Sequence, residues 1–155
     1  MVRALVLSLF LLASLLPLDA SSQNAPAKDE RQYTDGPVTQ VTYIHVEYGH
    51  FEEYVDWLDS TWKPTMEAYK KAGITTDYKI FRTSPKRPED ANVIFMITYK
   101  NMASYGGDIG DRAVEEDEVA KKVICSTECQ NKARVARSEY RKVLGDELIR
   151  ELHLK

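Results

Sequence analysis

The strand-like stretches of this chain carry apolar side chains on both faces, which limits what it can fold into. Residues 38–48 (VTQVTYIHVEY) and 92–99 (NVIFMITY) are rich in Val, Ile, Thr and Tyr, the composition of strands. Successive side chains on a strand point to opposite faces. In the first run Val41 and Tyr43 oppose Ile44 and Val46; in the second Val93, Phe95 and Ile97 oppose Ile94 and Met96. An antiparallel sheet with one wet face alternates apolar and polar residues instead. Both faces of this sheet therefore call for cover.

Helices can supply one cover. Phe51, Val55, Leu58, Trp62, Met66 and Tyr69 recur at helical spacing and predict a long amphipathic helix after Gly49. Pro64 lies inside it and removes a backbone bond to residue 60, so a bend is expected there; Gly73 is the expected stop. Residues 74–83 read as a second strand, joined by the charged, proline-containing loop 84–91 to the third. Beyond Asn101, a helix is predicted over 111–124 and a second over 128–144, where Ala133, Ala136, Tyr140 and Val143 share a face. Thr127 and Gln130 form a capping-box pattern at its start and Gly145 is read as its stop. Residues 147–154 (ELIRELHL) are the fourth strand expected. The order β-α-β-β-α-β predicts an α+β, ferredoxin-like antiparallel sheet with its helices on one face.

The N-terminus reads differently. Arg3 is followed by the short apolar core Ala4–Leu16, then Pro17 and small residues around Ala20 and Ser22. This is the pattern of a cleavable signal peptide over 1–20, and the apolar core is shorter than the roughly 20 residues that span a bilayer. Export to the periplasm or the extracellular space follows, with no stable membrane insertion after cleavage. Residues 21–36 have almost no large apolar side chains and read as a disordered lead-in, leaving 37–155 as a single domain. The 24 acidic and 21 basic residues give a net charge of −3, without the basic excess of a nucleic-acid-binding chain.

The run VTYIHVEYGHFEEY at 41–54, the later pair Trp57 and Trp62, and the two-strand hairpin resemble the dimeric α/β barrel superfamily, which includes antibiotic-biosynthesis-monooxygenase-like proteins. The resemblance covers residues 38–154. It implies that two such sheets pair face to face as a homodimer, supplying the second cover and enclosing a lumen for a small apolar or aromatic ligand. Members include cofactor-free oxygenases, haem-degrading enzymes, dye peroxidases and proteins of no assigned activity, so fold alone does not decide function.

Tyr43, His45 and Glu47 lie two apart and share one strand face, a line of protonatable groups able to do acid/base work. The plainer reading of His45 is a hydrogen-bonded strand histidine. Tyr99 is a further candidate for the lumen wall, and His153 is a candidate cross-strand neighbour of His45 if the register of the first and fourth strands agrees. His50, at the helix start, is expected to be exposed. The three histidines stand at 45, 50 and 153, none in the second helical region where haem-degrading relatives place an axial ligand. No metal motif is present and no cofactor is expected. Cys125 and Cys129 are the only cysteines, and two cysteines in an exported protein usually pair. One helical turn holds such residues about 5–6 Å apart at Cβ, too far for a bond. A disulfide thus requires the break that Ser126 and Thr127 provide. The acidic run 115–118 is expected to be solvated, with Arg137, Arg141 and other basic residues of the next helix offsetting it. These observations favour an exported small-molecule-binding or structural module. The alternative is a cofactor-independent oxygenase-like or isomerase-like enzyme built around His45.

Overall fold

The computed structural model describes residues 31–106 and 110–155; the predicted signal peptide and residues 21–30 of the lead-in lie outside the described residues. The elements are β1 (Tyr33–Val46), α1 (Phe51–Trp57), a π-helical turn (Leu58–Trp62), α2 (Lys63–Ala72), β2 (Asp77–Arg82), β3 (Val93–Tyr99), α3 (Met102–Tyr105), α4 (Asp111–Val123), α5 (Thr127–Arg137) and β4 (Arg141–Leu154). The strands form one sheet in the order β2-β3-β1-β4, with every neighbouring pair antiparallel. This is the ferredoxin-like arrangement expected from the element order.

Register assigns the two faces. Val38, Gln40, Thr42 and Ile44 of β1 pair with Tyr99, Ile97, Phe95 and Val93 of β3. Ile44, Val46, Val93 and Phe95 from this face form the core with Tyr54, Leu58, Trp62 and Met66 from the first helical segment. Trp62 packs 4.8 Å from Phe95 and edge-on at 5.2 Å to Tyr78, ring centre to ring centre. The opposite face presents Val41 beside Met96, Tyr43 beside Ile94, and Phe81 beside Ile94. The core helices all pack on the first of these faces.

The first helical segment passes through one π-helical turn, Leu58–Trp62, shortly before Pro64. A π turn admits one extra residue, and here it ends just before the proline whose missing N–H would break a regular ladder. The extra residue shifts the phase of the stripe. Tyr54, not Val55, is the inward residue: Tyr54 is fully buried and Val55 is 38% exposed. Gly73 closes α2 at φ 74°, the left-handed conformation that suits glycine.

Several boundaries differ from expectation, among them the start of the second strand, which is Asp77 rather than residue 74. β1 begins at Tyr33, so residues 33–36 of the expected lead-in are strand, and Tyr33, Thr34 and Asp35 pair with Leu154, His153 and Leu152. The last helix stops at Arg137 instead of running to Leu144, and β4 starts at Arg141, well before Glu147. Gly145 lies inside β4 and does not end a helix. It faces Tyr43, while the next pair is Ile44 with Val143, so Leu144 is the extra residue of a bulge. Finally, α5 starts at Thr127 as the capping pattern suggested, but the N-cap is Ser126, whose hydroxyl accepts from the Cys129 N–H at 3.4 Å.

Cys125 and Cys129 are joined in a disulfide across that start, their Cα atoms 5.9 Å apart. Cys125 precedes the cap, so the break between α4 and α5 makes the bond accessible. The closed loop is short, so its constraint on the unfolded chain is small. Cys125→Ser is expected to lower stability by about 2 kcal/mol or less, read as a small shift of the urea midpoint at unchanged slope.

Candidate functional site

β1 places Tyr43 and His45 on the sheet face away from the helices, with Glu47 following in line. The Tyr43 hydroxyl donates to Glu147 Oε1 at 2.5 Å. That bond to a carboxylate pushes the Tyr43 pKa up, so the phenol keeps its proton. His45 Nδ1 lies 3.0 Å from the Asp90 carbonyl oxygen. A carbonyl only accepts, so Nδ1 carries the hydrogen. His45 Nε2 then faces Glu47 Oε2 at 3.6 Å. Glu47 is also bonded by Lys142 Nζ at 2.6 Å, and this partner above all holds its carboxyl below the usual carboxylate range. Each of the three polar groups thus has a partner within the chain. The arrangement can hold a ligand by its edges, but Glu47 is already occupied as an acceptor and makes a weak proton-abstracting base.

The loop between β2 and β3 folds beside this line. A shallow cleft of about 300 Å³ is lined by His45, Glu47, Pro88, Glu89, Lys142 and Leu144. Next to it an open depression of about 600 Å³ includes Tyr43, Ile94 and Gly145. The expected trio is therefore brought together, but two other candidates are not. Tyr99 is paired with Val38 on the helix-covered face and is 5% exposed, packed edge-on to Tyr105 at 5.2 Å. It cannot line a lumen on the open face. His153 pairs with Thr34 at the far end of β4, whereas His45 pairs with Lys142. The two histidines are separated along the whole length of the strand pair and cannot share a ligand. Among the described residues no cluster of three or more His, Cys, Asp or Glu side chains is placed to hold a metal ion. His50 is half exposed, stacks on Tyr140 with ring centres 5.1 Å apart and pairs with Glu53 at 3.0 Å. Among the described residues no helix is long and apolar enough to cross a membrane.

The sequence reading missed the functional potential of the helix-covered side. Trp57 stacks on Tyr54 at 5.3 Å, and the Arg137 guanidinium lies over the Trp57 ring at 4.2 Å. Arg137 and Arg141 do not offset the acidic run as expected; Lys121 pairs with Asp117 and Glu118 at 2.7 and 2.9 Å. No periodic signal marks this cluster, because it forms where α5 ends and the chain turns into β4.

No family model matches the sequence, and no curated protein matches it. Solved structures are similar in fold. HapK from Hahella chejuensis is 10% identical, with 74% of this chain and 91% of that chain covered and a TM-score of 0.48. A dimeric ferredoxin-like protein from an uncultured marine organism is 19% identical, covering 79% of this chain and 98% of that one at a TM-score of 0.47. A second dimeric ferredoxin-like protein from an uncultured marine organism is 11% identical over 79% and 90%, at 0.44.

Proposed function

We propose that the chain is an exported, non-catalytic homodimer that holds a small apolar or aromatic molecule between two facing sheets. The observation that carries this reading is the uncovered side of the sheet with its edge strand. β4 exposes six large apolar side chains, Val143, Leu144, Leu148, Ile149, Leu152 and Leu154. Ile94, Met96 and Phe81 continue the apolar surface across the face away from the helices. A long apolar edge left in water templates association, and large exposed apolar patches mark interfaces. A second copy is the occupant whose surface matches by construction, since a two-fold axis sets the same patch against itself. Facing sheets would enclose Tyr43, His45 and Glu47. The intrachain pairing of all three favours binding over catalysis. Light scattering on residues 21–155 is expected to give twice the monomer mass, and native mass spectrometry of protein from its own host to retain a small ligand. A monomer at micromolar concentration overturns the reading. N-terminal sequencing of exported protein is expected to begin at Ser21 or Gln23.

The enzymatic alternative rests on the approach of His45 Nε2 to Glu47, and one substitution separates the two. His45→Ala removes the bond to the Asp90 carbonyl, worth about 0.5–1.5 kcal/mol, at a side chain 14% exposed. The expected result is a fall in melting temperature of several degrees with the dimer intact. Loss of a turnover with no change in melting would instead favour the enzyme.

A further inference from the structure

On the helix-covered side of the sheet, away from His45, buried hydrogen-bond donors gather without acceptors. The Tyr54 hydroxyl, Trp57 Nε1, Arg137 Nε and Arg141 Nε are all buried and unpaired. Tyr54 itself is fully buried. They form one cluster: Trp57 stacks on Tyr54, Arg137 covers the indole, and both guanidiniums act on the Tyr54 hydroxyl, Arg141 from just outside bonding geometry. Neither arginine has a carboxylate partner among the described residues. Glu53, which faces Tyr140, is held by His50. Burial, and then the adjacent charge of Arg141, disfavour the charged form of Arg137. Guanidinium groups stay protonated in proteins, and the two partly exposed arginines each keep a buried Nε edge without an acceptor. The partner that suits two such cationic donors is an anion.

The shape beside it narrows the chemistry. Arg137 also lines a cleft of about 340 Å³ between α2 and α5, whose walls include Trp57, Trp62, Met66, Tyr69 and Ile124. That volume is in the range of small-ligand sites, which combine apolar walls with a few fixed polar groups. We propose that Arg137 binds the carboxylate of a small organic acid whose apolar body fills this cleft, with Arg141 adding positive charge behind it. The guanidinium fork matches a carboxylate, and Trp57, whose indole N–H has no acceptor, stands in the same cleft wall as a further donor.

Both tryptophans of the chain line the cleft, so their fluorescence reports occupancy directly. The test titrates the purified chain with phenylacetate, with its neutral isostere phenylacetamide and with inorganic phosphate. Phenylacetate is expected to give a saturable change and to raise the melting temperature, with the amide and phosphate each at least about tenfold weaker. Arg137→Gln is expected to weaken phenylacetate by a similar factor while leaving the amide unchanged. Equal binding of acid and amide, tighter binding of phosphate than of phenylacetate, or an unaltered Arg137→Gln titration overturns the proposal. If Arg137→Gln does not fold, the comparison of acid with amide on the unaltered chain decides alone.

Discussion

An Ile94→Asp chain is expected to scatter light at the monomer mass, near 17.7 kDa for the full sequence, and still to melt cooperatively. Its neighbour tests the opposite face: Phe95→Asp is expected not to fold. The two residues are adjacent on β3 and therefore point to opposite sides of the sheet. Ile94 stands between Tyr43 and Phe81 on the face the core helices leave uncovered. An aspartate there stays hydrated in a lone subunit and becomes a buried unpaired charge only when a second sheet closes over it. Phe95 is 5% exposed, with the rings of Tyr54 and Trp62 at 6.4 and 4.8 Å. A charge there is buried in the subunit itself. The effective cost of an unpaired buried ion is several kcal/mol, against a total stability of about 5–15 kcal/mol for a domain. The same penalty thus falls on association in one variant and on folding in the other. An Ile94→Asp chain that keeps twice the monomer mass would place the subunit contact elsewhere.

The element order was legible because strand composition and helical period are easy to tell apart. The Val-, Ile-, Thr- and Tyr-rich runs 38–48 and 92–99 read as strands, and the step of three or four from Phe51 to Tyr69 is long enough to be unambiguous. The errors arose where the chain departs from regular periods. Ala133, Ala136, Tyr140 and Val143 continue helical spacing past the real end of α5, and nothing local reveals that the long β1 requires a partner strand from Arg141 onward. The start of β1 is equally silent. Tyr33–Gly36 has the composition of a linker, and backbone pairing with the end of β4 makes it strand. Val55 stands in the expected stripe although Tyr54 is the buried residue, because a π turn adds a residue that no simple helical wheel contains.

The candidate site shows the same division. Tyr43, His45 and Glu47 share a face because alternation on one strand needs no knowledge of the rest of the fold. His153 and Tyr99 depended on register. Register in β1 and β4 is shifted twice, between Asp35 and Val38 and between Tyr43 and Ile44. A bulge moves every later residue by one place, which spacing along a single strand cannot reveal. The arginine cluster lies further still from sequence logic: its four donors come from α1, the end of α5 and the first residue of β4, and meet only in the folded chain.

Trp62→Ala is expected to be the most destabilising truncation of the aromatic core. Trp62 is the last residue of the π turn and its ring packs on the sheet. It is 9% exposed and touches both Phe95 and Tyr78, so it ties the first helical segment to two strands at once. Truncating a buried tryptophan costs about 3–5 kcal/mol in lost transfer energy and residual cavity. The cavity cannot relax easily, because the helical segment is held on either side by Leu58 and Met66 in the same core. For a domain of this size each kcal/mol lowers the melting temperature by roughly 3–5 °C, so a fall of about 10–20 °C is expected by circular dichroism. Trp57→Ala is the internal control. Trp57 is only partly buried and its indole N–H has no acceptor, so its loss removes stacking and a cation–π contact but no satisfied hydrogen bond. Its expected shift is less than half that of Trp62→Ala. Equal shifts for the two would mean that the π turn does not aim Trp62 into the core as its ring contacts indicate.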